Sequence, residues 1–153
     1  MDFGLATCIP KSGGKEDVYQ LTGMTGSLRY MANEVGMKEK YNEKVDIYSY
    51  GMIFYEAATG TAPFSTLDKN NFIRRVHKEG FRPSTKQDEL GRTINVGDPL
   101  VDLLHRCWDP IYQNRPSALE IHAILTDFRA TKVIKEGSTI CGRLKSLLFS
   151  KSY

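Results

Sequence analysis

Three histidines, three cysteines and a Gly-Gly-Lys triplet are the residues whose types suggest chemistry at first sight, and their spacing argues against each reading. His77, His105 and His122 stand far apart, without the spacing of metal ligands, so each is expected on a helix flank. Cys8, Cys107 and Cys141 include no Cys-x-x-Cys pair, and reduced thiols are expected rather than a disulfide framework or a zinc site. Gly13-Gly14-Lys15 fails as a phosphate loop, because Ile9 stands where the first Gly is required and Glu16 where Ser or Thr is required. A loop tip is the simpler account. What remains is a glycine- and hydroxyl-rich stretch over residues 1–32, with no sustained helical or alternating period. A loop of that length inside a domain is usually functional or disordered.

The elements that must position such a loop lie downstream. The chain has 153 residues, 41% of them hydrophobic and 25% charged, which excludes fibrous and wholly disordered classes and suits one domain or part of a larger one. The apolar stretch Gly51–Tyr55 stops at Glu56, far short of the roughly 20 residues of a membrane helix. Met1-Asp2-Phe3-Gly4 does not read as a secretory signal, and a soluble, cytoplasmic protein is expected. The net charge of +3 is uneven: residues 129–153 carry six basic residues and one acid, whereas the first 128 carry 15 basic and 17 acidic. No nucleic-acid surface is expected on the folded part. The tail sets Leu144, Leu147 and Leu148 beside Arg143 and Lys145, and is expected to be solvated and poorly ordered, with no membrane partner.

From Val45 to Ala58 nearly every residue is apolar or aromatic, with Asn42 as a possible cap and Gly60 as the stop. A helix apolar all round belongs in the middle of a core. Three amphipathic helices follow. One starts at Thr66 or Asp68, shows Phe72, Ile73 and Val76 on one face and ends at Gly80. A second opens at Pro99 with Leu100, Leu103, Leu104 and Cys107 inward. The last begins at Ser117 with a Ser-x-x-Glu capping pattern and a stripe of Ile121, Ile124, Leu125 and Phe128. Residues 81–98 read as connecting loop, Trp108 as a core anchor, and no strand pair is convincing, so the fold is mainly α.

Four short segments then stand in a telling order. Asp2-Phe3-Gly4 is followed, after 27 intervening residues, by Ala32-Asn33-Glu34. Asp46 comes 12 residues beyond Glu34, in Asp-Ile-Tyr-Ser-Tyr-Gly. Arg115 lies 69 residues further on, in Cys-Trp-Asp-Pro-Ile-Tyr-Gln-Asn-Arg-Pro-Ser. Over residues 2–128 this ordered set resembles the eukaryotic protein kinases from the Asp-Phe-Gly motif to the end of the C-lobe. Asn33 stands where the family motif has Pro.

The resemblance implies a partial kinase C-lobe: an activation segment over 2–34, then about four to five helices around a central buried helix over 35–128, with the N-lobe absent and a basic tail over 129–153. It implies that Asp2 would ligate the magnesium bridging the ATP phosphates, that Phe3 would pack beneath the N-lobe, and that Gly4 would let the backbone swing. It implies a buried ion pair between Glu34 and Arg115, an Asp46 that holds the catalytic-loop backbone, and a part for Ile53 and Ala57 in supporting the stacked spines of an active kinase. Gly26-Ser27-Leu28-Arg29-Tyr30-Met31 looks like the substrate loop of a Ser/Thr kinase, with Ser27 and Tyr30 as its contact residues. Together with Cys107-Trp108 this points to the tyrosine-kinase-like group acting on protein substrates. Tyr19, Thr22 and Thr25 are the candidate phosphosites of the loop.

The Gly-rich loop, the strand Lys, its Glu partner and the catalytic loop have no counterpart in these 153 residues. A truncated kinase chain is therefore expected, inactive alone, with no tight hold on ATP or magnesium. Apolar area left uncovered at about 25 cal/mol per Å² further predicts marginal stability or self-association. The rival expectation is a non-catalytic, kinase-derived module that docks partners through the helix at 68–79.

Overall fold

The computed structural model describes residues 4, 6–9, 18–21, 23–24, 26–87 and 98–131. The chain divides into two units, Met1–Ser117 and Ala118–Tyr153. Among the described residues the first unit is helical, with an isolated antiparallel bridge between Tyr19 and Tyr41.

Among its described residues are the α-helices α1 (Asn33–Gly36), α2 (Lys44–Thr59), α3 (Lys69–Phe72) and α4 (Asp98–Cys107). Helix α2 runs along the core. Tyr48, Gly51, Met52 and Tyr55 recur at helical spacing and are all buried. The core takes one side of α2, and Ile53 (56% exposed) and Ala57 lie on the other, at the surface, as the expected uncovered apolar area of a partial C-lobe has it. Gly60 closes α2 in the left-handed conformation (φ 67°), and its N–H donates to the Glu56 carbonyl at 2.7 Å, the arrangement that favours glycine at a helix end. At the other end the Asn42 side chain accepts from the Lys44 N–H at 3.1 Å.

Asp68, rather than Thr66, caps α3. Its carboxylate accepts from the Asn70 and Asn71 backbone N–H groups at 2.9 and 3.0 Å. The helix then widens into a π segment, Ile73–Lys78, which the apolar pattern does not announce. Phe72 and Val76 are buried while Ile73 is half-buried. Against α2 lies α4, which inserts Leu103, Leu104 and Cys107. The two helices approach so closely that a Cβ on Gly51 would stand 2.8 Å from that of Cys107. Phe64, at a φ of 57°, is fully buried edge-on to Phe72 with ring centroids 5.2 Å apart. Trp108 is buried against Tyr55, as its reading as a core anchor anticipates.

In the second unit a helix, α5, runs over 118–131, beginning just after Ser117. Ile121 is buried, and Ile124, Leu125 and Phe128 are half-buried. Among the described residues no helix is long and apolar enough to cross a membrane.

Candidate functional site

The loop that leads into α1 is tied down residue by residue. Leu28–Tyr30 forms a 3-10 turn in which the Tyr30 N–H donates to the Ser27 carbonyl at 3.1 Å. Helix α2 holds this turn twice. The Ser49 hydroxyl donates to the Tyr30 carbonyl at 2.8 Å, and the Tyr30 hydroxyl donates to Glu56 Oε2 at 2.5 Å. That hydrogen bond to a carboxylate, followed by burial, raises the Tyr30 pKa. Arg29 Nη1 donates to the Pro63 carbonyl at 3.0 Å. Ser27 is exposed, and beside it Leu28, Leu67 and Phe72 wall a depression of about 270 Å³.

Beneath the loop, the Arg115 guanidinium meets the Glu34 carboxylate at Nη1–Oε1 2.6 Å and Nη2–Oε2 3.0 Å. Both side chains are buried. Nε of Arg115 donates to the Asp109 carbonyl at 2.9 Å and Nη1 to the Lys44 carbonyl at 3.1 Å, while Lys44 Nζ donates to the Arg115 carbonyl at 2.6 Å. The guanidinium therefore has further acceptors beyond Glu34, which helps satisfy its buried charge.

Two guanidinium groups approach the Tyr48 ring, that of Arg115 at 5.2 Å and that of Arg82 at 5.1 Å from the ring centre. Such stacking suits planar, weakly hydrated cations on an aromatic face. Burial pushes the Tyr48 phenol up to about 12, against the pull of the two arginines. Arg82 also donates to the carbonyls of Trp108, Val76 and Phe81 and, at 3.3 Å, to Asn33 Oδ1. Asn33 thus supplies an acceptor that a proline at this position could not.

A second cavity, of about 310 Å³, lies between the start of the loop and the entry to α2. Thr7, Ile9, Met31, Val35, Asp46 and Ser49 are among its walls. Asp46 is exposed there. Among the described residues no three His, Cys, Asp or Glu side chains are grouped as a metal site would need.

The sequence of the protein kinase domain, as a family pattern, matches residues 1–126. The chain belongs to the protein kinase family. Similar curated proteins include the serine/threonine-protein kinase VIK of Arabidopsis thaliana, 38% identical over 130 residues that make up 85% of this chain and 28% of VIK. The dual specificity protein kinase pyk3 of Dictyostelium discoideum is 34% identical over 135 residues, 88% of this chain and 9% of pyk3. The serine/threonine-protein kinase STY46 of Arabidopsis thaliana is 31% identical over 136 residues, 89% of this chain and 21% of STY46. This kinase chain spans less than a third of the length of each.

The structure of this partial C-lobe joins Glu34 to Arg115, seats Tyr30 on α2, places Gly4 and Ser27 at the surface and puts Asp46 on the wall of the larger cavity. Tyr19 pairs its backbone with Tyr41. Asp2, Phe3, Thr22 and Thr25, together with Cys141 and the basic tail from residue 132, lie outside the described residues. Ile53 and Ala57, expected to help α2 support the stacked spines of an active kinase, are exposed in this partial C-lobe, where apolar area is expected to be left uncovered. His77, expected on a helix flank rather than on a metal, lies on the π segment and is buried against Gly36 of α1. Sequence reasoning missed Ser49 and Glu56, although polar residues in an otherwise apolar helix are the signal that marks them. Arg82 had no such signal, since it sits in irregular chain after Gly80.

Proposed function

We propose that this chain is the C-terminal lobe of a serine/threonine kinase of the tyrosine-kinase-like group. In complete form such a protein would move the γ-phosphate of ATP to Ser or Thr side chains of proteins in the cytoplasm. The observation that carries the reading is the substrate loop: Ser27 stands exposed at its start, and α2 holds the loop in shape through Ser49 and through Glu56 on Tyr30. A loop so anchored can present a protein hydroxyl in one geometry, and phosphoryl transfer depends mainly on positioning and charge neutralisation. The depression walled by Leu28, Leu67 and Phe72 favours an apolar substrate side chain next to the acceptor.

Asp2 would contribute one carboxylate oxygen to magnesium on the ATP phosphates, with Phe3 and Gly4 beside it. A hard cation held by one protein oxygen, without the catalytic-loop Asp and Asn or the phosphate cradle, binds weakly. These 153 residues alone are therefore expected to transfer no phosphate. Tyr19, Thr22 and Thr25 remain the proposed phosphosites, where about two added negative charges would reorder the loop. Incubating the purified chain with Mg-ATP and a generic Ser/Thr substrate tests the inactivity. Transfer above background that Asp2→Ala abolishes would overturn it.

A second reading is a non-catalytic docking module using α3 and its π segment. It is supported by the Arg75 guanidinium lying 4.7 Å over the exposed Phe81 ring, a mixed cationic and aromatic surface. Phosphotransfer by a kinase completed with this chain would decide against it.

A further inference from the structure

His77 carries the imidazole that the functional reading leaves unused. It is 6% exposed, and among the described residues neither ring nitrogen makes a hydrogen bond. A buried, unpartnered polar ring is costly and calls for an explanation. The ring packs edge-on against Phe72, with centroids 5.5 Å apart, and it fills the space where any residue but glycine at position 36 would place a Cβ. The His77 ring is thus a close point of approach between the π segment and α1.

We propose that the His77–Gly36 joint is a proton-sensitive latch, which holds α1 on the π segment while the imidazole is neutral and releases it when the ring takes a proton. The surroundings offer an imidazolium the Met31 carbonyl as an acceptor but no unengaged carboxylate from α1. From α1, the Glu34 carboxylate would favour the charged ring, but both its oxygens are engaged by Arg115. From the stretch after Gly80, the Arg82 guanidinium disfavours it. The Met31 carbonyl at the entry to α1 favours it, and on the ring's own segment the neighbours Arg75 and Lys78 are basic. Burial outweighs the favourable contributions and lowers the His77 pKa. The sign follows: the open state takes its proton near the ordinary pH of about 6.5, before the closed state does, so closure weakens as pH falls through that value. Helix α1 directly follows the loop at 27–31, so its release would free the α1 end of that loop, and this holds whether or not the completed protein is a kinase.

Hydrogen-exchange protection of the Gly36 and Met37 amides, corrected for intrinsic rate, tests the latch in the whole 153-residue chain. Protection is expected to fall several-fold, and up to about tenfold, between pH 7.5 and 5.5, and by less than twofold in His77→Phe. A fall below twofold in the native chain, an equal fall in the variant, or an equal fall at Met52 and Tyr55 in α2 would overturn the proposal. Should His77→Phe not fold, the NMR titration of the native His77 ring decides. A midpoint clearly below 6.5 supports the latch, and one at or above 6.5 contradicts it.

Discussion

The Glu34 carboxylate and the Arg115 guanidinium, 81 residues apart in the chain, meet as a buried two-pronged pair at 2.6 and 3.0 Å. The contact closes the stretch after α4 onto the start of α1, and Lys44 draws the first turn of α2 into the same knot. Removing one partner leaves the other as an unpaired buried charge, which costs about 3–5 kcal/mol. Glu34→Ala and Arg115→Ala should each lose that much in urea unfolding. Replacing both by apolar residues of similar volume should cost clearly less than the sum of the single changes. Equal, additive losses would show that the pair is not coupled.

Arg82 and Asn33 make a second prediction. Arg82 serves three backbone carbonyls and stacks on Tyr48, whereas Asn33 contributes one acceptor to it. Arg82→Ala, which removes the donor from the part-buried Trp108 and Val76 carbonyls, should cost about 2–3 kcal/mol, and Asn33→Ala about 1 kcal/mol. Asn33→Pro should be milder still, since proline at the first helical position is pre-shaped for α1 and offsets the lost hydrogen bond. Denaturant midpoints of the three variants, compared at equal slope, check the order.

The thiols differ in a way that reagents can read. Cys8 is exposed, while burial pushes the Cys107 thiol up to about 11. At pH 8 iodoacetamide should label Cys8 at once and leave Cys107 protected until the chain unfolds, as mass spectrometry of peptides would show. Because the folded state holds the Cys107 proton longer than the unfolded one, this group favours folding below about pH 9 and that contribution fades as pH rises toward 11. Rapid labelling of native Cys107 at pH 8 would contradict the burial.

Ile53, 56% exposed on an apolar helix, is expected to promote association between copies of the chain. Sedimentation should show a mass that rises with concentration, and Ile53→Glu should shift the chain toward monomer. A native chain that remains monomeric at every concentration would contradict this.

Much of the helical frame is legible in the residues because local chemistry and packing agree. Gly60 stops α2 where a left-handed residue is needed, Asp68 caps α3, and Leu103, Leu104 and Cys107 mark the inner face of α4. The partnership of Glu34 with Arg115 was legible by likeness, since no local pattern links residues so far apart. The π widening after Phe72, the segment on which the buried His77 lies, was not, because its apolar spacing also fits an ordinary helix. Uncovered apolar area was expected, but which side of α2 would show it was not legible: composition says that a helix is apolar, not which of its sides has a neighbour. Arg82 reaches its partners through tertiary contacts alone.

The central claim, that this chain is the substrate-presenting lobe of a Ser/Thr kinase, is tested most directly by phosphoamino-acid analysis of a chimera. In it, residues 2–128 replace the matching stretch of VIK behind that protein's own N-terminal lobe and catalytic loop. The account predicts phosphoserine and phosphothreonine on a protein substrate, lost on Asp2→Ala. A chimera that unfolds cooperatively yet transfers no phosphate, or that yields phosphotyrosine alone, would contradict it.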